Sequence, residues 1–318
     1  MFKGIICVIT ACLIWGLIFV IPSFLDGFSS IELAMGRCLS FGSCAICILL
    51  LRKRHLFRQI SREVWQKAFV FSFLASGVHY FTLVLGLRYA NVAITTLIIG
   101  TTPVCVAIYG NMRQKEFAFR PLIIPCGLLA IGLVLVNLPP FLQIENGTNL
   151  NEYLLGIFFG IISLASWVWV AVANSEFLKK NPNIRSSDWV TLLGVSTMIW
   201  ATFLVFIGYF FTTNQQLEKY INPSPELYSF LVGCLILGWG CSWLGFYLWN
   251  HAAMRLPISL LGQLTIFETL FALSFLTMIE GRIPESLEIA GIAIALIGIT
   301  TNVYVMRSAY SKPSPQTT

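Results

Sequence analysis

Stretches of about 20 predominantly apolar residues follow one another along this chain, and no other feature limits its folding so strongly. A helix of that length matches the roughly 30 Å hydrocarbon core of a bilayer. Ten such runs fall at about 2–21, 30–51, 65–87, 90–110, 119–138, 153–175, 188–212, 227–250, 256–279 and 286–306. Each is far longer than a barrel strand and lacks period-two alternation, so helix is the expected form. Turn chemistry separates the runs at Pro22, Asp26-Gly27, Pro139-Pro140, Asn146-Gly147, Asn181-Pro182 and Asn222-Pro223. The first run carries Lys3 but no small-residue cleavage site before Pro22, so it reads as a retained helix rather than a signal peptide. The polar, Pro-rich end of the chain reads as a disordered tail over 307–318.

Composition agrees. Of 318 residues, 57% are apolar and 11% charged, against roughly 25% charge in a soluble chain. One core cannot hide that much apolar surface. Soluble, disordered, collagen-like and disulfide-framework classes are excluded. The nine cysteines lie inside apolar runs, where they act as small hydrophobes. Cys44-Ala-Ile-Cys47 has redox spacing but no His nearby to activate it.

The cations set the expected orientation. With the N-terminus in the cytoplasm, 16 of the 20 Lys and Arg fall on the inside, among them Lys3, Arg52, Lys53, Arg113, Lys179 and Arg255. The outer loops hold only Arg88, Lys219 and Arg282. This asymmetry places both termini in the cytoplasm. The basic clusters alternate with apolar spans, which disfavours nucleic-acid binding.

A weak internal repeat runs through the chain. Ile14-Trp15-Gly16 in the first run matches Ser166-Trp167-Val168 in the sixth. Leu87-Arg88 before the fourth run matches Met254-Arg255 before the ninth. Glu116 precedes Gly127 by 11 residues, as Glu280 precedes Gly291. Two sets of five spans enter the membrane in opposite senses, which is the plan of many secondary transporters with a midplane site. The expected organisation is an N-terminal five-helix repeat over 1–138, an outer linker over 139–152, and a C-terminal five-helix repeat over 153–306.

At these residues the chain resembles the drug/metabolite transporter superfamily, specifically the EamA-type permeases. The resemblance covers residues 2–306 and rests on Trp15-Gly16 with Phe19, Arg37, Thr102-Pro103-Val104, Glu116, Glu280, Gly127/Gly132 and Gly291/Gly298. The family often shows Glu-Pro in its ninth span, whereas this chain has Glu268-Thr269. The resemblance implies ten helices, an inverted repeat, a central cavity and export of amino acids or related metabolites.

Ionisable residues at membrane depth are costly and usually face a cavity or a partner. Glu268 is the strongest candidate, as a contact for a substrate amino group, a proton carrier, or a structural partner of a buried Arg. Arg37 would hold a substrate carboxylate as a bidentate fork, pair with Asp26 or Glu32, or snorkel outward. His79 would relay a proton or bond between helices. Trp15, Trp167, Trp243 and Tyr80 would line a cavity suited to an apolar or cationic group, or simply pack. Trp239, Trp243 and Tyr247 recur every four positions and are expected on one face. Thr101 and Thr102, next to Pro103, would supply hydroxyls at a helix break. Gly156-Ile-Phe-Phe-Gly160 lets helices approach closely.

No nucleotide loop, nucleophile elbow or metal-spaced cluster occurs in the sequence. Asn146-Gly-Thr148 is a glycosylation sequon, relevant only in a eukaryotic host. The expected function is secondary active export of a small metabolite by alternating access, without enzymatic activity or cofactor, in the cytoplasmic membrane. Protons are a candidate coupling ion, and the carrier is a monomer or a homodimer. A passive facilitator is the alternative. An integral-membrane enzyme acting on lipid would need a clustered acid/base set, which the sequence lacks.

Overall fold

This computed structural model describes residues 2–25, 27–52, 60–90, 95, 98–114, 119–142, 150–210, 214–281 and 286–310. They are almost wholly helical, with no strand among them. In chain order the helices are α1 (Phe2–Val20), α2 (Ser30–Arg52), α3 (Arg62–Tyr89), α4 (Thr102–Gln114), α5 (Phe119–Leu142), α6 (Leu150–Lys180), α7 (Ser186–Tyr209), α8 (Pro225–Ala253), α9 (Ile258–Leu264 and Ile266–Glu280 in tandem) and α10 (Ser286–Tyr310). A short helix, Asn214–Ile221, joins α7 to α8. Among the described residues, six helices contain stretches long and apolar enough to cross a membrane: Ile31–Arg52, Arg62–Tyr89, Leu150–Lys180, Ser186–Tyr209, Pro225–Ala253 and Ile258–Ile279. Phe2–Ile18, Arg120–Leu135 and Ser286–Asn302 are shorter apolar helices. The fourth run, Glu116, Asp26 and the 146–148 sequon lie wholly or partly outside the described residues.

Helix starts follow local chemistry. Ser29 and Glu32 form a capping box at α2: the Glu32 amide donates to Ser29 Oγ (3.3 Å) and the Ser29 amide to Glu32 Oε2 (2.7 Å). Ser61 Oγ caps α3, and Ser224 Oγ caps α8 with Pro225 following it. Two expected boundaries move. Helix α5 runs through Pro139-Pro140 to Leu142, because a proline pair in the last turn removes only two internal bonds. Helix α10 continues past residue 306 to Tyr310.

The helices pair across the chain rather than with their sequence neighbours. Helix α5 lies along α10, α2 along α7, α3 along α6, α1 against α8 and α9, and α4 against the first piece of α9. Small residues permit the closest seams. A Cβ on Gly132 of α5 would stand 2.6 Å from the Gly291 carbonyl of α10. One on Gly156 would strike the Ala90 backbone at the end of α3. The small-residue motif of α6 thus serves packing within the chain. All nine cysteines are free thiols.

Two segments are π-helical: Phe73–Val78 within α3 and Ile236–Leu244 within α8. Each widens one turn and shifts the helical phase beyond it. The sequence shows neither, since no proline or charge marks them. The shift also corrects the expected single face of Trp239, Trp243 and Tyr247. Trp239 is turned outward and exposed, while Trp243 stacks on Tyr247 at 5.8 Å.

Candidate functional site

The interior where α1, α2, α3, α6, α8 and α9 meet gathers most of the candidate residues. Trp15 of α1 is buried, and its indole N–H donates to the Cys241 carbonyl in the π segment of α8 (2.8 Å). Its ring meets Trp167 edge-on at 6.3 Å, Phe246 at 5.7 Å and Trp249 at 5.4 Å. Trp167 of α6 stacks on His79 at 5.3 Å. His79 Nδ1 lies 3.0 Å from the Ser163 carbonyl and 2.9 Å from Ser163 Oγ, and that hydroxyl donates to the His79 carbonyl at 2.8 Å. His79 therefore ties α3 to α6.

Arg37 turns inward from α2. Its Nε donates to Ser242 Oγ of α8 (2.9 Å), and its guanidinium lies 5.9 Å from the Tyr80 ring centre on α3. Glu268 sits in the first turn of the second piece of α9, close enough to Arg37 for the two charges to interact. Among the described residues no ion pair joins them. Both residues are half-buried. The Cys12 and Cys241 thiols flank Glu268, bonded to the Leu264 and Ile14 carbonyls.

The break ahead of Glu268 needs no proline. Thr265 interrupts α9, its hydroxyl and amide both returning to the Gly262 carbonyl (2.5 and 3.1 Å), and the Glu268 amide then caps onto the Thr265 carbonyl (2.9 Å). Thr101 does the same before α4: its hydroxyl and amide bond the Ile98 carbonyl (2.6 and 3.1 Å), and the Val104 amide bonds the Thr101 carbonyl (3.1 Å). Pro103 falls in the first turn of α4, where its missing donor leaves nothing unsatisfied. The Thr102 hydroxyl is committed to the Ile99 carbonyl at 2.6 Å.

Not every candidate joins this group. Trp243 packs with Trp65, Ile60 and Leu49 between α2 and α7, away from Trp15. Glu32, one expected partner of Arg37, is held instead by Lys219 (2.8 Å) and by the Tyr220 hydroxyl (2.6 Å). Lys219 also lies over the Phe28 ring at 4.7 Å. Burial and the adjacent Glu32 carboxylate push the Tyr220 phenol above its ordinary range.

Sequence reasoning missed Ser242, Ser163, Phe246, Trp249 and the buried pair Asn174 and Asn250. Trp189 Nε1 donates to Asn174 Oδ1 (2.6 Å), and Asn174 Nδ2 to Asn250 Oδ1 (2.8 Å). Two asparagines in long apolar runs were the available signal, of the same kind as Glu268. Among the described residues no cluster of three or more His, Cys, Asp or Glu is placed to hold a metal.

Opposite charges and indoles thus share the interior of a bundle that includes, among the described residues, six helices long and apolar enough to cross a membrane. Residues 2–138 match the EamA-like transporter family. Over 320 aligned residues the chain is 29% identical to the inner membrane protein YtfF of Escherichia coli (strain K12), covering 98% of both chains. A known crystal structure shares the fold with a TM-score of 0.75 at 17% identity, over 97% of this chain and 99% of the other.

Proposed function

We propose that the chain is a secondary active transporter that moves a small zwitterionic metabolite, such as an amino acid, outward across the cytoplasmic membrane by alternating access. One observation carries this reading: Arg37 and Glu268 sit near one another in the interior, opposite in charge and not paired in an ion bridge. A charge at membrane depth needs a partner. A zwitterion supplies both, its carboxylate to the Arg37 fork and its ammonium to Glu268. Trp15 and Trp167 form the adjoining apolar wall. Glu268 is also the group suited to exchange a proton for substrate.

The alternating mechanism draws on ten spans in two inverted sets of five, with both termini inside. The reciprocity of the helix pairs supports this plan: exchanging the halves turns the α1–α8 pair into α6–α3, and each is a principal contact. The π segments fall in α3 and α8, third in each set, and the Thr101 and Thr265 breaks fall in fourth positions. Outward direction rests on the family resemblance, and placement in a cytoplasmic membrane on the inner-membrane relative.

Proteoliposomes test the function. Uptake of radiolabelled amino acids is measured with and without an imposed proton gradient, for the wild type and Glu268→Gln. Uphill accumulation lost in the variant supports the proposal. Transport that only equilibrates makes the chain a facilitator, and unaltered transport by Glu268→Gln removes that carboxylate from the site.

A further inference from the structure

Three helices build the polar layer: α2 gives Arg37, α8 gives Ser242 and α3 gives Tyr80. One turn further along each helix stand Phe41, Phe246 and Ser76, and all three line a cavity of about 20 Å³. Helix α3 runs opposite to α2 and α8, so counting forward in α2 and α8 and backward in α3 moves in one direction through the bundle. The cavity therefore lies directly beneath the charged layer. Phe41 and Phe246 stack at 6.3 Å, and Trp167 and Trp249 belong both to this cavity and to the cluster around Trp15.

Its walls are mainly aromatic and aliphatic, with Phe71 on one side and the Asn174 amide as one of few polar groups. That amide is committed to Trp189 and Asn250. The space holds about one water or one methyl-sized group. An apolar pocket discriminates by size, roughly 10-fold or more per methylene.

We propose that this cavity is the side-group subsite of the transported zwitterion, and that it selects a compact apolar substituent of methyl size over aromatic or long ones. The proposal rests on the Arg37–Glu268 reading, which supplies the anchor for the charged head. Phe71 and Ser76 are then specificity-determining: shortening Phe71 deepens the pocket, and enlarging Ser76 fills it.

The test measures affinities of the purified wild type, in detergent, for glycine, L-alanine, L-leucine and L-phenylalanine. Glu268→Gln, Phe71→Leu and Ser76→Leu are then measured with the same four probes. The wild type should hold alanine at least about 10-fold more tightly than leucine, with phenylalanine weaker still. Phe71→Leu should move the preference toward leucine, Ser76→Leu should move it toward glycine, and Glu268→Gln should weaken all four alike. Phenylalanine bound as tightly as alanine by the wild type overturns the subsite without any variant. So does a size order left unchanged by both cavity variants, while a loss of all four in Glu268→Gln would leave the charged anchor standing. If none of the four binds the wild type, the zwitterion reading fails and the subsite fails with it.

Discussion

Arg37→Gln and Glu268→Gln, made singly and together, form a double-mutant cycle on the two interior charges. The two side chains lie beyond the 4.0 Å of an ion pair. At an effective dielectric of about 20, unit charges 4 Å apart interact by about 4 kcal/mol, and by about 2 kcal/mol at twice that separation. Beyond 4 Å the coupling energy should therefore be positive but below about 4 kcal/mol. Each single replacement also leaves the remaining charge uncompensated in the interior, so the double variant should be less destabilised than the two singles added. Arg37→Gln loses its bond to Ser242 besides, so it should be the weaker single variant. The assay is unfolding in mixed micelles of rising dodecyl sulfate fraction, followed by tryptophan fluorescence at pH 8.5. Free energies that add to within about 0.5 kcal/mol would show that the two charges ignore each other. The zwitterion argument would then lose its physical basis.

Other tests follow from particular contacts. Trp15→Phe removes the bond to the Cys241 carbonyl and should destabilise the same unfolding transition by about 0.6–1.7 kcal/mol, the span measured for hydrogen bonds between membrane helices. No change would mean that another donor takes over that carbonyl. Gly132→Leu should abolish the monodisperse peak in size-exclusion chromatography, because its Cβ would stand 2.6 Å from the Gly291 carbonyl. Gly127→Leu, whose Cβ meets nothing within 4 Å, should elute like the wild type. The Tyr220 phenol, raised in the folded state, contributes stability present below its unfolded value near 10 and lost as pH climbs beyond it. Wild-type unfolding followed from pH 9 to 12 should therefore decline more steeply than that of Tyr220→Phe, and parallel curves would sever Tyr220 from Glu32.

The spans were legible because hydrocarbon imposes length and apolarity on any helix that crosses it. Glu268 and Arg37 were legible for the converse reason, since a charge in such a run demands explanation. Their partners were not. Ser242 is an ordinary residue in α8 until the π segment aims it at Arg37. The same segment turns Trp239 outward, which four-residue spacing in an unbroken α-helix would not do. Glu32 looked available to Arg37, but a capping box and the Lys219–Tyr220 pair hold it at the start of α2. The interruption before Glu268 also escaped notice, because a threonine closing onto its own helix makes a turn without the proline that usually announces one. Local rules describe each helix well. Which helix answers which is decided by packing at long range.

The widened turn inside α3 gives one uninterrupted rod two bearings. Ahead of it, Phe71 addresses Phe177 and Trp189, on α6 and α7. Behind it, His79 clasps Ser163 while Tyr80 confronts Arg37 on α2. A rod of uniform pitch would have to twist bodily to serve both sets of neighbours. With the surplus residue stored midway, either end can keep its own company while the other swings, as a coupling joins two shafts that need not share a heading.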